Sequence, residues 1–386
     1  MNKYSKLYHL EESYQHFAQK SKQLEESSMR AQLNLEEWLL QNNYSSNKSS
    51  FGPLFNSLNT SQTKFMCVSI LSKSRRGATS NYVNQAIMSL LTKTPLKLNT
   101  QLKMFAFNTD EPNRPNTNLL NMKHLIQIIN INANQSLQST PRLKEALDYA
   151  LALEYLHNES CQYSMLMEDD ALIAFNWFDS LTRGLDYIRK NFNENEFIYM
   201  KLFSGYKFFD WEWLSFPFMV LKVAFYSLVL FCFNLSLILK LKFKLTNVKI
   251  FSLLVNSFSL CVVFYAISVA PCGFGVRLYS TGFGTVSLLI PNSKLLLLSR
   301  HLQTNMYGYL DGSVTKFNAK DILMDEFKVR NNFKEFIIEP SLVQHIGMQS
   351  SLYDREDSSR GYRQMYKSFS WPDGKKLIEF DLNFFK

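Results

Sequence analysis

Tyr163-Ser164-Met165-Leu166-Met167-Glu168-Asp169-Asp170-Ala171-Leu172-Ile173 is the stretch on which the reading of this chain turns. A short apolar run ends in three consecutive carboxylates and then resumes. Acids crowded at the end of a buried strand repel one another and lose water, so the pattern requires a cation nearby. Hard divalent ions such as Mg2+ and Mn2+ choose carboxylate oxygens, usually one or two from the protein together with the phosphates of a bound nucleotide. Glu168, Asp169 and Asp170 are therefore candidates for holding a metal and a diphosphate. The competing reading is a solvated strand-to-loop turn, since short acidic triplets are common.

Upstream of the triplet the chain alternates strands and helices. Phe65 to Leu71 is a mostly apolar run, followed by the basic turn Ser72-Lys73-Ser74-Arg75-Arg76-Gly77 and a helical pattern from Asn81 to Leu91. A strand that feeds a basic, Gly-containing turn and then a helix is how parallel α/β sheets hold anions at their carboxyl edge, although a plain surface loop with two arginines reads the same way. Further strands are expected at Leu102–Phe107 and Leu125–Ile131. Pro141 to Leu156 spaces Leu143, Ala146, Leu147, Ala150 and Leu151 on one helical face. This β-α-β-α-β order points to an α/β fold with a mostly parallel sheet covered by helices.

Downstream, a strand is expected at Phe197–Phe203, and then the texture changes. Val223 to Leu239 is uncharged for roughly 17 residues and Ile250 to Ala270 for about 20, the length a spanning helix needs. Between them Lys240, Lys242, Lys244 and Lys249 stand without an acid, which by the positive-inside rule places this connection in the cytosol. Trp211 and Trp213 suit an interfacial anchor. A two-helix transmembrane hairpin with both flanking halves lumenal is the expectation; a pair of buried core helices is the alternative. No apolar run opens the chain, so neither signal peptide nor anchor is visible there.

After the hairpin, Thr285 to Ile290 reads as a strand, Asn292 to His301 as a helix and Asp311-Gly312 as a turn. Lys320 to Phe327 begins a helix with Asp321 in its first turn and Asp325 one turn on. Asp321 can be a favourable charge at a helix amino end. Phe336 to Ile338 is a strand, and His345 follows in Pro340-Ser341-Leu342-Val343-Gln344-His345-Ile346-Gly347. An isolated His there is either held by hydrogen bonds or, in a chain with a metal-binding triplet, a further ligand.

Composition narrows the class. The 386 residues are 46% hydrophobic, with 32 Phe and 19 Tyr, which is ample for a core and argues against disorder. The net charge of +9 is not gathered into a basic stripe with interleaved aromatics, so no nucleic-acid partner is expected. Cys67, Cys161, Cys232, Cys261 and Cys272 form no CxxC and no zinc spacing, and their pairing is not legible. Asn/Ser-rich sequence at 42–61 reads as a linker after a helix-prone first forty residues. Five N-x-S triplets, at Asn43, Asn47, Asn59, Asn134 and Asn158, lend weak support to a lumenal address, whereas a sixth at Asn234 lies within the first expected span and is discounted as a glycan acceptor.

Met167-Glu168-Asp169-Asp170-Ala171, Tyr199-Met200-Lys201-Leu202-Phe203, the two inserted apolar runs, Lys320-Asp321-Ile322-Leu323 and Pro340 to Gly347 together resemble the post-attachment GPI N-acetylgalactosaminyltransferases, which look related to the branching N-acetylglucosaminyltransferases. The family normally begins with its own membrane anchor. The resemblance implies an inverting, GT-A-like glycosyltransferase of the Golgi membrane with a lumenal catalytic domain. It would move GalNAc from UDP-GalNAc to the first mannose of the glycan on a GPI-anchored acceptor, using Mn2+ or Mg2+, with the lipid bilayer as partner. It implies that Glu168, Asp169 and Asp170 hold the nucleotide sugar, that Asp170, Glu168 and His345 hold the metal, that Ser69, Arg75 and Arg76 open the nucleotide loop, and that Asp321 or its rival Asp325 is the general base. The expected organisation is 1–60 helical segment and linker, 61–213 and 273–386 the two parts of the catalytic domain, and 214–272 the hairpin. Two alternatives stand beside it: a related membrane enzyme using another UDP-sugar on N-glycans, and a non-enzymatic two-span membrane protein.

Overall fold

The structure, a computed structural model, describes residues 22–38, 64–73, 81–95, 101–110, 116–131, 140–203, 225–236, 255–260, 275–279, 284–339 and 341–347, besides isolated positions. The chain divides into two units, one of Met1–Gly205 with Gly275–Lys386 and one of Tyr206–Phe274.

In the first unit, β1 (Met66–Ser72), β2 (Leu102–Asn108), β3 (Gln127–Asn130) and β4 (Tyr163–Glu168) run parallel, in the order β3-β2-β1-β4. The register pairs Ser72 with Asn108, Asn108 with Asn130, and Leu71 with Glu168, so four strands end along one edge. Helices return the chain between them. Asn81 caps α2 (Tyr82–Lys93) by accepting from Asn84 N at 3.3 Å. Asn116 caps α3 (Thr117–Asn121), and Pro141 opens α4 (Pro141–Asn158) where a missing N–H costs nothing. The sheet continues β4-β8-β6-β9-β7 through β6 (Phe197–Lys201), β7 (Gly275–Tyr279), β8 (Ser287–Pro291) and β9 (Lys334–Glu339). The result is a mixed α/β unit whose central sheet is mostly parallel; β8 and β7 are the antiparallel members.

Alternation along the strands supplies two cores. Val68, Ile70, Met104, Ala106, Met165 and Met167 face α2 and α5 (Trp177–Asn191), while Cys67, Phe105, Phe107, Leu166, Leu288 and Ile290 face α4, α6 (Asn292–Leu310) and α7 (Lys320–Arg330). Cys67 and Cys161 form a disulfide at the amino edge, 94 residues apart in sequence. Closing a loop of that length removes about 4.7 kcal/mol of unfolded-chain entropy in the simplest picture.

The amino-terminal helix, α1 (22–38), belongs to this unit. Leu24, Ser28, Ala31 and Leu35 form its buried stripe, at the spacing a helix gives to one face. All twelve residues of α2 are buried, and Gln32 accepts from Asn84 Nδ2 at 3.1 Å while Glu36 meets His124 at 2.9 Å. On α4, Leu143, Ala146 and Ala150 are buried as expected, but Leu147 and Leu151 are only half-buried. Tyr149, Leu153 and Leu156 take the deeper places, because α4 packs on α6 as well as on the sheet. The helix expected from Asn292 runs on to Leu310.

In the second unit, helical segments cover 225–236 and 255–260. No helix among the described residues is long and apolar enough to cross a membrane. The expected spans Val223–Leu239 and Ile250–Ala270 fall only in part on described residues, and Trp211, Trp213 and the Lys240–Lys249 connection lie outside them. What is described is turned inside out. Phe225, Tyr226, Leu228, Val229, Phe233, Val255, Phe258 and Leu260 are exposed, whereas Ser227 and Ser257 are buried.

The last turn of α2 fixes the strand that follows the acids. Lys93 Nζ donates to the Ile173 carbonyl at 2.8 Å, and Ser89 Oγ accepts from Ile173 N at 3.2 Å. Burial pushes the Lys93 ammonium down to about 7. Its folded value thus lies below the unfolded one, so the unfolded chain binds more protons between about pH 7 and 10.5, and stability rises with pH across that window by up to about 1.4 kcal/mol per unit. Thermal midpoints of the wild type and Lys93→Met should therefore converge or cross in the wild type's favour between pH 7 and pH 9.5. A constant difference would remove Lys93 as the titrating group.

Candidate active site

The acids lie where the parallel strands end. Glu168 is the last residue of β4, Asp169 and Asp170 make the turn, and β5 (Ala171–Ile173) begins directly after it. β5 pairs antiparallel with β10 (Val343–His345), which brings His345 opposite Ala171. Ile346 N donates to the Asp170 carbonyl at 2.8 Å, and Leu342 N to the Leu202 carbonyl at 2.8 Å, so β10 is sewn between the acid turn and the end of β6. Two three-residue strands thus join positions 175 apart in sequence. His345 Nε2 donates to Asp170 Oδ2 at 3.1 Å.

Glu168, Asp170 and His345 each offer a ligand atom within 4.8 Å of the others. Two carboxylates and an imidazole suit Mn2+ or another borderline-hard divalent ion. Gly347 leaves the space for it: a Cβ there would stand 2.0 Å from Asp170 Oδ2 and 2.9 Å from His345 Nε2, so any side chain would fill the gap the donors surround. The donor set and this clearance fit a divalent cation. Asp169 is engaged differently, accepting from Lys73 N at 3.1 Å and so tying the end of β4 to that of β1.

The amino end of α7 closes the site from the opposite face of the sheet. Lys320 is buried and its Nζ bonds both Glu145 and, at 3.1 Å, Glu168 Oε1, above the Tyr149 ring. Burial alone would lower this ammonium, but the two carboxylates outweigh it and hold it above its ordinary value, so it stays charged. Thr285 Oγ1 adds a hydrogen bond to Glu168 at 3.2 Å. Beside Lys320, burial lowers Lys73 and pushes Asp148 up to about 6 despite its 2.7 Å contact with Lys144.

The two candidate bases are now distinguishable. Asp321 follows Lys320 in the first turn of α7, half-buried, with Oδ1 accepting from Ile322 N at 3.0 Å. Asp325 is ion-paired with Lys328, which also holds the buried Glu335 at 2.7 Å; Glu335 in turn holds Lys201 at 2.7 Å. Asp325 therefore belongs to a network that braces α7 on β6 and β9. Ser69 is buried in mid-strand and donates to the Met165 carbonyl at 3.1 Å, three residues short of the edge. Arg75 and Arg76 lie outside the described residues.

Sequence reasoning brought Glu168, Asp170 and His345 forward but passed over Gly347, Lys320 and Thr285. Gly347 closed a motif whose histidine drew attention, and Lys320 immediately precedes Asp321; neither has a spacing that marks it.

Gly347→Ala should weaken Mn2+ binding in the presence of UDP by about tenfold or more, the scale of loss when the groups that orient metal ligands are altered. Calorimetry on the full chain would measure it, with the metal-free thermal midpoint falling by only a few degrees. Unchanged affinity would mean the ion is not seated among Asp170, His345 and Gly347. Lys320→Met should lower the metal-free midpoint clearly, because Glu145 and Glu168 would be left without their shared cation.

No curated protein matches the chain significantly. A family model, described as GPI-N-acetylgalactosamine transferase PGAP4, matches residues 66–344, from the first residue of β1 to the residue before His345. That match takes in both acidic sites, the inserted second unit and the whole sheet, and on it the chain belongs to the GPI-N-acetylgalactosamine transferase PGAP4 family and is a glycosyltransferase.

Proposed function

We propose that this chain transfers GalNAc from UDP-GalNAc to the first mannose of a GPI glycan, with inversion, in the lumen of the Golgi and on a GT-A-like scaffold. The observation that carries the reading is the convergence of Glu168, Asp170 and His345 within 4.8 Å at the carboxyl edge of a mostly parallel sheet. Strand ends of α/β sheets are where nucleotides bind. Glu168, Asp170 and His345 would hold a Mn2+ or Mg2+ ion, which supplies charge stabilisation to the departing diphosphate. Asp169 and Lys73 N keep the ends of β4 and β1 together, which sets the floor on which the nucleotide lies.

Inversion needs a base on the face of the sugar opposite the leaving group. Asp321 fits better than Asp325, because Lys320 pins its helix end to Glu168 whereas Asp325 is occupied by Lys328. Its carboxylate would accept the proton of the mannose hydroxyl as that oxygen attacks the anomeric carbon. Asp325, through Lys328 and Glu335, keeps α7 in place.

The acceptor is lipid-anchored, and a bilayer-bound second unit suits it. Exposed Phe225, Leu228, Phe233, Phe258 and Leu260 beside buried Ser227 and Ser257 are the arrangement lipid favours, apolar side chains outward and small polar ones inward. The disulfide Cys67–Cys161 supports an oxidising, lumenal setting for the first unit.

Asp321→Asn should cut kcat by about a hundredfold or more while leaving KM for UDP-GalNAc within a few fold, and Asp325→Asn should cost about tenfold or less. The reverse order would exchange the two roles. A panel of UDP-sugars with the full chain tests the donor; faster turnover of UDP-GlcNAc would favour the branching-type alternative. Replacing residues 214–272 by a soluble linker should spare UDP-GalNAc hydrolysis and abolish transfer to GPI in vesicles, and undiminished transfer would count against the membrane role.

A further inference from the structure

We infer that Asn158 carries an N-linked glycan. The inference rests on the lumenal placement of the first unit proposed above. Asn158-Glu159-Ser160 is an acceptor triplet, and its local geometry presents the two residues that count. α4 ends at Asn158; Glu159 remains in helical conformation at the cap, and Ser160 turns into the left-handed region at φ 56°. Asn158 and Ser160 are exposed, while Glu159 between them is drawn inward by a 2.9 Å ion pair with Lys103. The Ser160 hydroxyl bends back toward the Asn158 carbonyl at 3.4 Å. Folding therefore leaves the acceptor amide and the +2 hydroxyl on one outer corner, where an attached sugar displaces nothing packed.

Two further observations point the same way. The next residue, Cys161, is paired with Cys67, so the triplet sits beside a bond that forms in the compartment where such glycans are added. Also, Asn158 lies at the amino edge of the sheet. β4 runs from Tyr163 to Glu168, which at about 3.3 Å per residue separates the corner from the acids by roughly 20 Å. A glycan there leaves the donor and acceptor approach open. Beside it an open cleft of about 640 Å³, lined by Ser160, Gln162, Asn195 and Asn292, gives the first sugars room. Asn234, the other acceptor triplet among the described residues, lies in the helical segment with exposed Phe225, Leu228 and Phe233, a setting that suits lipid.

In the modification the Asn158 amide nitrogen bonds to the anomeric carbon of an oligosaccharide carried on a lipid diphosphate. The carbon–oxygen bond to the diphosphate breaks, the diphosphate keeps the electron pair, and the nitrogen loses one proton.

The full chain would be expressed in secretory eukaryotic cells, its membranes treated with peptide N-glycosidase in heavy-oxygen water, and the peptides read by mass spectrometry. The expected result is a heavy-oxygen aspartate at position 158, absent in Ser160→Ala, with GalNAc turnover of Asn158→Gln within about twofold of wild type. Asp311→Asn, which completes an Asn-x-Ser triplet with Gly312 and Ser313 on an exposed turn of the same unit, serves as reporter, its label counted only in excess of a sample kept in heavy-oxygen water without the glycosidase, because Asn-Gly deamidates unaided. Label at 311 but not at 158 overturns the glycan at Asn158 and leaves the lumenal reading standing. Label at neither overturns both.

Discussion

Unit charges about 5 Å apart at an effective dielectric near 20 repel by about 3 kcal/mol, and Glu168, Asp169 and Asp170 set three of them in succession at a sheet edge where two are buried. The fold answers each acid from a different part of the chain. Glu168 is met by Lys320 and Thr285, Asp169 by the backbone of Lys73, and Asp170 by His345. These partners come from α7, the loop before β8, the end of β1 and β10. The positions of those elements can be read as the consequence of satisfying one turn.

This explains what could be seen beforehand. β1, β2, β4 and β6 are apolar runs long enough to declare themselves, and the acids are conspicuous because buried carboxylates are costly. β5 and β10 are three residues each, too short for any period, yet they seat the histidine. β8 slips antiparallel between β4 and β6, a choice made by long-range packing. α5 has a well-formed apolar face but begins at Asn176 in the left-handed region and carries Gly184, so its propensity is muted. Cys67 and Cys161 show no motif because their pairing follows from β1 lying beside β4.

Asp321 and Asp325 illustrate a limit of another kind. One helical turn apart, they are equivalent by type and by phase. Their surroundings separate through Lys320 and Lys328, one reaching Glu168 and the other Glu335. Glu335 is fully buried between Lys201 and Lys328, so α7 is fixed at its far end by charges that would be expensive to expose or to unpair. A helix held at both ends offers its first turn as a rigid platform, which is what the base role proposed for Asp321 would require.

The interruption of the first unit follows the same geometry. β6 ends at Lys201 and β7 begins at Gly275; β9 lies between them, parallel to β6 and antiparallel to β7. The carboxyl end of β6 and the amino end of β7 therefore fall on the same edge of the sheet, the edge that carries the acids. An insertion spliced there leaves every strand pairing of the sheet intact.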